Sequence, residues 1–172
     1  RSQALVSPTG SGKTGMGAHV MSDERFKVVR CISHRLSLND QNRNILCPTF
    51  TPQSLLEGKP EGFGNPDLVI WDECHRSEAP TFKTVTKWFP KAMHLGLTPT
   101  PQRSDGNALT LYQDMTVAAH YSELLLNKTI VPCEVVIPEA FYDDQEPDLI
   151  SAYLDNREKD SHAFIFCKSI ED

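Results

Sequence analysis

A run of eight residues near the start of the chain combines the residue types that bind phosphate groups. It reads Ser-Pro-Thr-Gly-Ser-Gly-Lys-Thr over residues 7–14 and follows the apolar residues 4–6. Glycines let the backbone fold closely around phosphates, and a following helix offers free N–H groups at the positive end of its dipole. Lys13 can reach the phosphates as a positive charge, and the Thr14 hydroxyl can ligate Mg²⁺. The predicted nucleotide-binding residues are Pro8, Thr9, Gly10, Ser11, Gly12, Lys13 and Thr14.

Two adjacent acids form the second candidate group. Asp72 and Glu73 stand at the end of an apolar run over residues 67–72, which is the clearest strand in the sequence. In open α/β sheets, ligands lie beyond the carboxyl ends of the strands, so we expect Asp72 near the phosphate-binding loop. Hydrolysis of Mg²⁺–ATP needs one carboxylate for the metal and another to orient or deprotonate the attacking water. We assign Asp72 to the metal, together with Thr14, and Glu73 to the water. Without the loop upstream, this pair would be interpreted as a solvated turn.

The elements that must position these groups alternate along the chain. Strands are predicted over residues 27–33, 45–47, 67–72 and 91–97, and helices after Lys13, over 35–43, from Thr51-Pro52, over 80–89 and over 120–127. A continuous apolar strand such as 67–72 indicates burial on both faces, as in a parallel sheet. The alternation predicts a doubly wound α/β domain with a mostly parallel sheet. Val131-Pro132 marks a boundary, followed by a strand over 133–137, a helix over 149–156 and a strand over 162–167.

Composition is that of a globular protein, with 39% hydrophobic and 23% charged residues among 172. No apolar run is long enough to cross a membrane, and five scattered cysteines without Cys-x-x-Cys spacing favour reduced thiols in a cytoplasmic protein. The net charge of −6 is uneven, since residues 1–131 hold 14 basic and 12 acidic side chains and residues 132–172 hold 3 and 11. Overall acidity therefore does not exclude a nucleic-acid surface on the first part.

Several segments together resemble superfamily 2 helicases, of the RadD-like bacterial and phage type. Residues 7–14 resemble the first helicase motif, with Ser7 where the general phosphate-loop pattern has Gly, and Asp-Glu-Cys-His over 72–75 resembles the DEAD/DEAH-type second motif. Gly-Leu-Thr-Pro-Thr-Pro-Gln-Arg over 96–103 resembles the third motif, with Pro99 in place of the usual Ala. Weaker similarities are seen at residues 33–41, 51–55 and 163–169, the last resembling the fourth motif.

The resemblance implies a RecA-like ATP-binding lobe that works as an ATP-driven motor on DNA, or less favourably on RNA. In such a lobe His75 joins the catalytic residues and connects the nucleotide site to the third motif. Thr98, Thr100 and Arg103 relay the nucleotide state to the nucleic-acid face. His34, Arg35 and Thr51 lie near the backbone of a bound strand. Without the resemblance, these residues would be interpreted as structural or solvated side chains.

The resemblance also sets the expected domain boundaries. Residues 1–131 are expected to form a RecA-like domain that lacks its N-terminal adenine-reading segment, since the chain begins with Arg1. Residues 132–172 are expected to open a second RecA-like lobe, most of which is missing from this chain. The arginines of later motifs, which complete the ATP site, are then absent too. We therefore expect the chain alone to bind nucleotide but to hydrolyse it poorly.

Three functions remain open on the sequence. The first is the ATPase lobe of a helicase. The second is a translocase of the restriction or remodelling type, which moves along duplex without unwinding it. The third is a degenerate nucleic-acid-binding fragment without catalysis. Small-molecule kinase chemistry is disfavoured by the combination of Asp-Glu-x-His and Thr-x-Thr-Pro.

Overall fold

A sheet of six strands forms the centre of the computed structural model, which describes residues 2–34, 47–58, 60, 63–102 and 109–132. The strands are β1 (Ser2–Val6), β2 (Val29–Ile32), β3 (Thr49–Phe50), β4 (Leu68–Asp72), β5 (Met93–Thr98) and β6 (Asp114–Val117). Their order is β3-β2-β4-β5-β1-β6, and all pairings among the described strands are parallel. The predicted α/β fold with a parallel sheet is confirmed, and the arrangement is consistent with a RecA-like domain.

The described helices are short and begin at recognisable signals. They are α1 (Lys13–Met21), α2 (Pro52–Glu57), α3 (Pro80–Thr86) and α4 (Tyr121–Leu126), with a 3₁₀ turn at Cys74–Arg76. Proline occupies the first position of both α2 and α3, where its missing N–H costs nothing. Thr51 caps α2 by accepting a hydrogen bond from Ser54 N at 3.1 Å, as the sequence predicted.

Apolar side chains cover both faces of the sheet. Strand β4 is buried over four consecutive residues because it lies in the interior of the sheet, next to β2 and β5. On one face the rings of Phe63, Trp71, Phe82 and Phe89 form the largest cluster. On the other face, side chains of α1 pack against β2, β4 and β5. This two-sided burial is what the continuous apolar run over residues 67–72 predicted.

A buried polar pair is set into the aromatic face. Trp71 Nε1 donates a hydrogen bond to His94 Nδ1 at 2.9 Å, and His94 Nε2 lies 3.2 Å from the carbonyl of Phe89. Because the indole can only donate, Nδ1 is the acceptor and Nε2 carries the proton. His94 is therefore a neutral imidazole with both nitrogens paired, and burial lowers its pKa.

The structure alters some of the predicted elements. Of the strand expected at residues 45–47, only Cys47 is described and it lies outside any strand, while a short strand is found at Thr49–Phe50. Strand β6 was not predicted. The predicted helix over 35–43 and the elements predicted after residue 132 fall on residues outside those described. None of the helices that the structure describes has the length and apolar character needed to cross a bilayer.

By its internal contacts the chain divides into two units, Arg1–Val131 and Pro132–Asp172. The described residues belong to the first unit, apart from Pro132. That the second unit opens a further RecA-like lobe stays a prediction.

Candidate functional site

The predicted site residues follow the carboxyl ends of adjacent strands. Strand β5 lies between β4 and β1, with Leu97 in register with Asp72 and Thr98 in register with Val6. Parallel strands lie about 4.8 Å apart, so the end of β4 and the start of the phosphate loop are separated by roughly 10 Å. The edge of the sheet therefore brings the loop, the acids and the third-motif segment together.

The loop over residues 7–12 has the backbone that the glycines permit. Gly10 and Gly12 adopt positive φ values of 80° and 84°. Gly12 is the N-cap of α1, and its carbonyl accepts the first helical hydrogen bond from Met16 N at 3.0 Å. Apart from its chain neighbours, no atom of the described residues lies within 4 Å of the position that a Cβ would take at Gly12. The loop thus leaves open space at the helix start, where N–H groups without helical partners collect.

Lys13 lies across the base of this loop. Its ammonium donates to the carbonyls of Ser7 at 3.1 Å and Pro8 at 3.0 Å. Burial lowers the pKa of Lys13, while the negative charges of Glu73 and Asp72 oppose that shift. The ammonium is therefore near enough to both carboxylates to interact with their charges. Its hydrogen bonds go to neutral carbonyls, which an anionic ligand can replace.

The two acids stand at a sharp turn. Asp72 ends β4, and Glu73 adopts a left-handed conformation with φ 55°, which is uncommon for a residue with a side chain. Asp72 Oδ1 accepts the N–H of Glu73 at 3.1 Å. Left-handed backbone at non-glycine residues costs about 1–2 kcal/mol and is concentrated at functional sites. The donor set of Thr14 hydroxyl and Asp72 carboxylate fits Mg²⁺, which prefers oxygen ligands.

His75 lies between Glu73 and the third-motif segment. His75 Nδ1 lies 3.2 Å from Glu73 Oε2 and 3.2 Å from Thr98 Oγ1. The Thr98 hydroxyl donates to the carbonyl of Thr100 at 2.8 Å and accepts from Thr100 N at 3.2 Å. Because the carboxylate of Glu73 can only accept, its approach favours the tautomer of His75 with a proton on Nδ1, which can donate either to Glu73 or to Thr98.

Strand β5 is also tied to the start of the phosphate loop. Ser7 N donates to the carbonyl of Thr98 at 3.0 Å, which extends the β1–β5 ladder by one residue. Ser7, which stands where the general pattern has Gly, is fully buried. Thr98 therefore contacts the loop through its backbone and His75 through its side chain.

Tyr112 and Glu78 support this edge and were missed by the sequence analysis. A Cβ at Gly96 would lie 2.6 Å from both Cys74 Sγ and Tyr112 Cζ. The Tyr112 ring and the Cys74 thiol therefore pack directly against the backbone of β5 at Gly96. Glu78 accepts the N–H and the hydroxyl of Thr110 at 2.7 Å each, which fixes the chain leading to Tyr112. Neither residue lies in a motif, and the glycine at 96 was the only signal of a close approach.

The predicted nucleic-acid residues are placed farther along the same edge. His34 follows β2, and Thr51 follows β3, with Ser33 N donating to the carbonyl of Phe50 at 3.0 Å. From the strand order, Thr51 is two strands from Asp72 and four from the phosphate loop. The side chain of Thr51 is used to cap α2. Arg35 and Arg103 lie outside the described residues.

Comparisons with known proteins match parts of the chain. A family profile described as "Type III restriction enzyme, res subunit" matches residues 49–103. A curated protein named "Putative helicase 22", from Sulfolobus islandicus filamentous virus, is 39% identical over 80 residues, which is 44% of this chain and 14% of that protein.

A solved structure is also similar. The Hef helicase domain of Pyrococcus furiosus aligns with a TM-score of 0.47 and 19% identity, covering 60% of this chain and 30% of that one. The chain thus spans a small part of each of these proteins. Over the part of the chain that they cover, the family match and the helicase relative support a similarity to helicase-type domains, which agrees with the parallel α/β sheet.

Proposed function

We propose that this domain binds Mg²⁺–ATP at the phosphate loop and couples its hydrolysis to movement on DNA or to unwinding of DNA. The observation that carries the proposal is the sheet edge itself. It places the loop around Lys13, the acids at 72 and 73 and the Thr98 segment on three adjacent strands. A nucleotide-driven motor needs these three groups to be near one another.

Nucleotide binding is the first step that these residues support. The open start of α1 and the positive-φ glycines offer N–H groups to phosphate oxygens. Lys13 exchanges its bonds to the loop carbonyls for bonds to phosphate, and this exchange also offsets the burial of its charge. Thr14 and Asp72 would hold the Mg²⁺, which supplies charge neutralisation between the phosphates when bound.

Glu73 is proposed to orient the attacking water. Its carboxylate lies beside Asp72 and is held at Oε2 by His75 Nδ1. That contact orients the carboxylate of Glu73. His75 also contacts Thr98, which in turn bonds Thr100, so a shift of the carboxylate can move the third-motif segment. His75 thus acts as a positioning residue between the water-orienting carboxylate and the third-motif segment.

The order of groups along the sheet edge supports coupling between nucleotide hydrolysis and nucleic-acid binding. The acids lie between the phosphate loop on one side and His34 and Thr51 on the other. A strand of nucleic acid bound near His34 and Thr51 would then be separated from the nucleotide by β4 and β5. We propose DNA as the nucleic acid because the sequence resembles RadD-like helicases. We also propose a cytoplasmic location for the protein. A duplex translocase without unwinding is the second candidate, favoured by the match to a restriction-enzyme subunit family.

The experiment that tests the proposal compares two charge variants with matched surface controls. We expect Lys13→Ala to weaken binding of a fluorescent ATP analogue in the presence of Mg²⁺ at least about tenfold, since a charge-assisted contact is lost. Glu73→Gln is expected to retain binding and to lower single-turnover hydrolysis about 100-fold.

The controls remove the same charges elsewhere. Lys91→Ala and Glu24→Gln change exposed residues outside the site and should behave as the unaltered chain does. If Lys13→Ala binds the nucleotide as tightly as Lys91→Ala, the proposed nucleotide site is wrong. If Glu73→Gln hydrolyses the nucleotide as fast as Glu24→Gln does, the proposed role of Glu73 is wrong.

A further inference from the structure

The chain that follows α4 returns to the phosphate loop. A Cβ at Gly10 would lie 3.3 Å from Ile130 Cγ2, which is tighter than an ordinary van der Waals contact. The methyl group of Ile130 therefore lies against Gly10 on the side where a Cβ would project. Gly10 has φ 80°, so this is one of the two positions in the loop with a left-handed backbone.

Ile130 is held at this position by the end of α4. Lys128 adopts φ 55°, with its N–H donating to Leu125 O at 3.0 Å, and Thr129 N donates to Leu124 O at 2.9 Å. This is the Schellman arrangement that ends helices. Ile130 N also donates to Leu124 O, at 3.3 Å, and Leu124 is buried. The backbone of Ile130 is thus fixed by hydrogen bonds to a buried helix residue.

The other end of the same segment is attached to the strand that leads into the loop. Ala118 N donates to Val6 O at 2.9 Å, directly before residue 7. A capping box at His120 and Glu123 then starts α4, with His120 N donating to Glu123 Oε2 at 3.0 Å. Residues 118–130 therefore contact the loop at its entry and again at its bend.

We propose that Ile130 is a positioning residue of the phosphate loop, whose Cγ2 methyl holds Gly10 in the bent conformation that receives phosphate. The proposal rests on the proposed nucleotide-binding function of the loop. It also implies that the contact is reciprocal. A ligand that changes the conformation of the loop must change the environment of Ile130, which is the second-last residue of its unit.

Three variants separate the methyl contact from general packing. Ile130→Ala removes Cγ2, whereas Ile130→Val keeps a methyl group at that position and loses only the end of the side chain. Val131→Ala changes the exposed neighbour, which is 82% accessible. Loss of the contact should speed nucleotide-free hydrogen exchange at amides 9–12 and weaken binding of the ATP analogue, each by about three- to tenfold. Ile130→Val and Val131→Ala should leave both quantities unchanged.

A second measurement uses the unaltered chain and so does not depend on the folding of a variant. Hydrogen exchange at the amides of Thr129 and Ile130 should change when the ATP analogue binds. Unchanged exchange there, or equal behaviour of Ile130→Ala and Ile130→Val, would overturn the role of Ile130. If the unaltered chain binds no nucleotide, the proposed function fails, while the nucleotide-free exchange still decides whether Ile130 holds the loop.

Discussion

His75 Nδ1 lies 3.2 Å from the hydroxyl oxygen of Thr98, and that hydroxyl is fully buried. The contact joins the strand end that carries the acids to the strand end that begins the third-motif segment. Thr98 reaches the phosphate loop as well, because its carbonyl accepts the N–H of Ser7. A single threonine is thus in contact with both halves of the proposed nucleotide site.

Thr98→Val is expected to destabilise the domain by about 1–3 kcal/mol. Valine has the same shape but leaves the carbonyl and N–H of Thr100 without their partner, next to a buried side chain. Thr98→Ser keeps the hydroxyl and should cost much less. Urea unfolding of the two variants measures the difference. Equal stabilities for the valine and serine variants would show that the hydroxyl network contributes nothing.

Gly96→Ala is expected to destabilise the domain by about 1–3 kcal/mol or more, because overpacking a buried strand displaces neighbouring groups. The added methyl would lie 2.6 Å from Cys74 Sγ and 2.6 Å from Tyr112 Cζ. Gly15→Ala provides the matched control, since nothing lies within 4 Å of a Cβ there. Gly15 lies inside α1, so its replacement should stabilise the helix by up to about 1 kcal/mol. Thermal unfolding should therefore shift in opposite directions for the two substitutions.

Stability is expected to fall as the pH drops from about 7 to 5, owing to His94. Burial lowers the pKa of His94 below the unfolded value of about 6.5, so the unfolded chain binds a proton that the folded chain rejects. The stabilisation that the neutral His94 provides is fully present above the unfolded pKa. As the pH falls below that value, the free energy of unfolding decreases by up to about 1.4 kcal/mol per pH unit.

The measurement is the free energy of unfolding across this pH range. His94→Gln should reduce the slope, while His19→Gln, at an exposed position, should retain it. A slope that is unchanged in His94→Gln would mean that another group causes the pH dependence.

Thr51→Ala is expected to cost about 1 kcal/mol of stability, through loss of the cap on α2. Thr51→Ser should retain the cap, because serine offers the same oxygen. Binding of single-stranded DNA by the two variants then separates the proposed nucleic-acid role from the structural one. If both variants bind DNA as the unaltered chain does, Thr51 serves only the helix.

The parts of the site that the sequence predicted share one property. Residues 7–14, 72–75 and 98–100 all follow apolar strands, and their chemistry admits few residue types at each position. The parallel sheet brings such positions to one edge, so the strands and the grouping of these residues could be predicted together, while their roles stay predictions. The order of the strands in the sheet could not be predicted, because the sequence of one strand does not determine which strands it pairs with.

The missed features depend on packing between distant segments. Strand β6 is exposed at all four residues, so its sequence lacks the alternation of apolar and polar residues that predicts a half-buried strand. Its extended structure is seen only in its pairing with β1. Tyr112 acts through Gly96, and Ile130 through Gly10, over separations that no local pattern encodes. The predictions for Arg35, Arg103 and residues 133–172 fall on residues outside those described.

The position of β5 has a consequence for how the domain opens. Edge strands pair on one side only, so we expect them to open locally before the interior strands, and among the described strands the edges are β3 and β6. The strands that lead into the phosphate loop, the acids and Thr98 all lie inside those edges. Detachment of β3 would therefore leave the proposed nucleotide-binding edge assembled, whereas detachment of β6 would also release the segment that contacts Gly10. Loss of β1, β4 and β5 themselves should coincide with cooperative melting of the whole sheet.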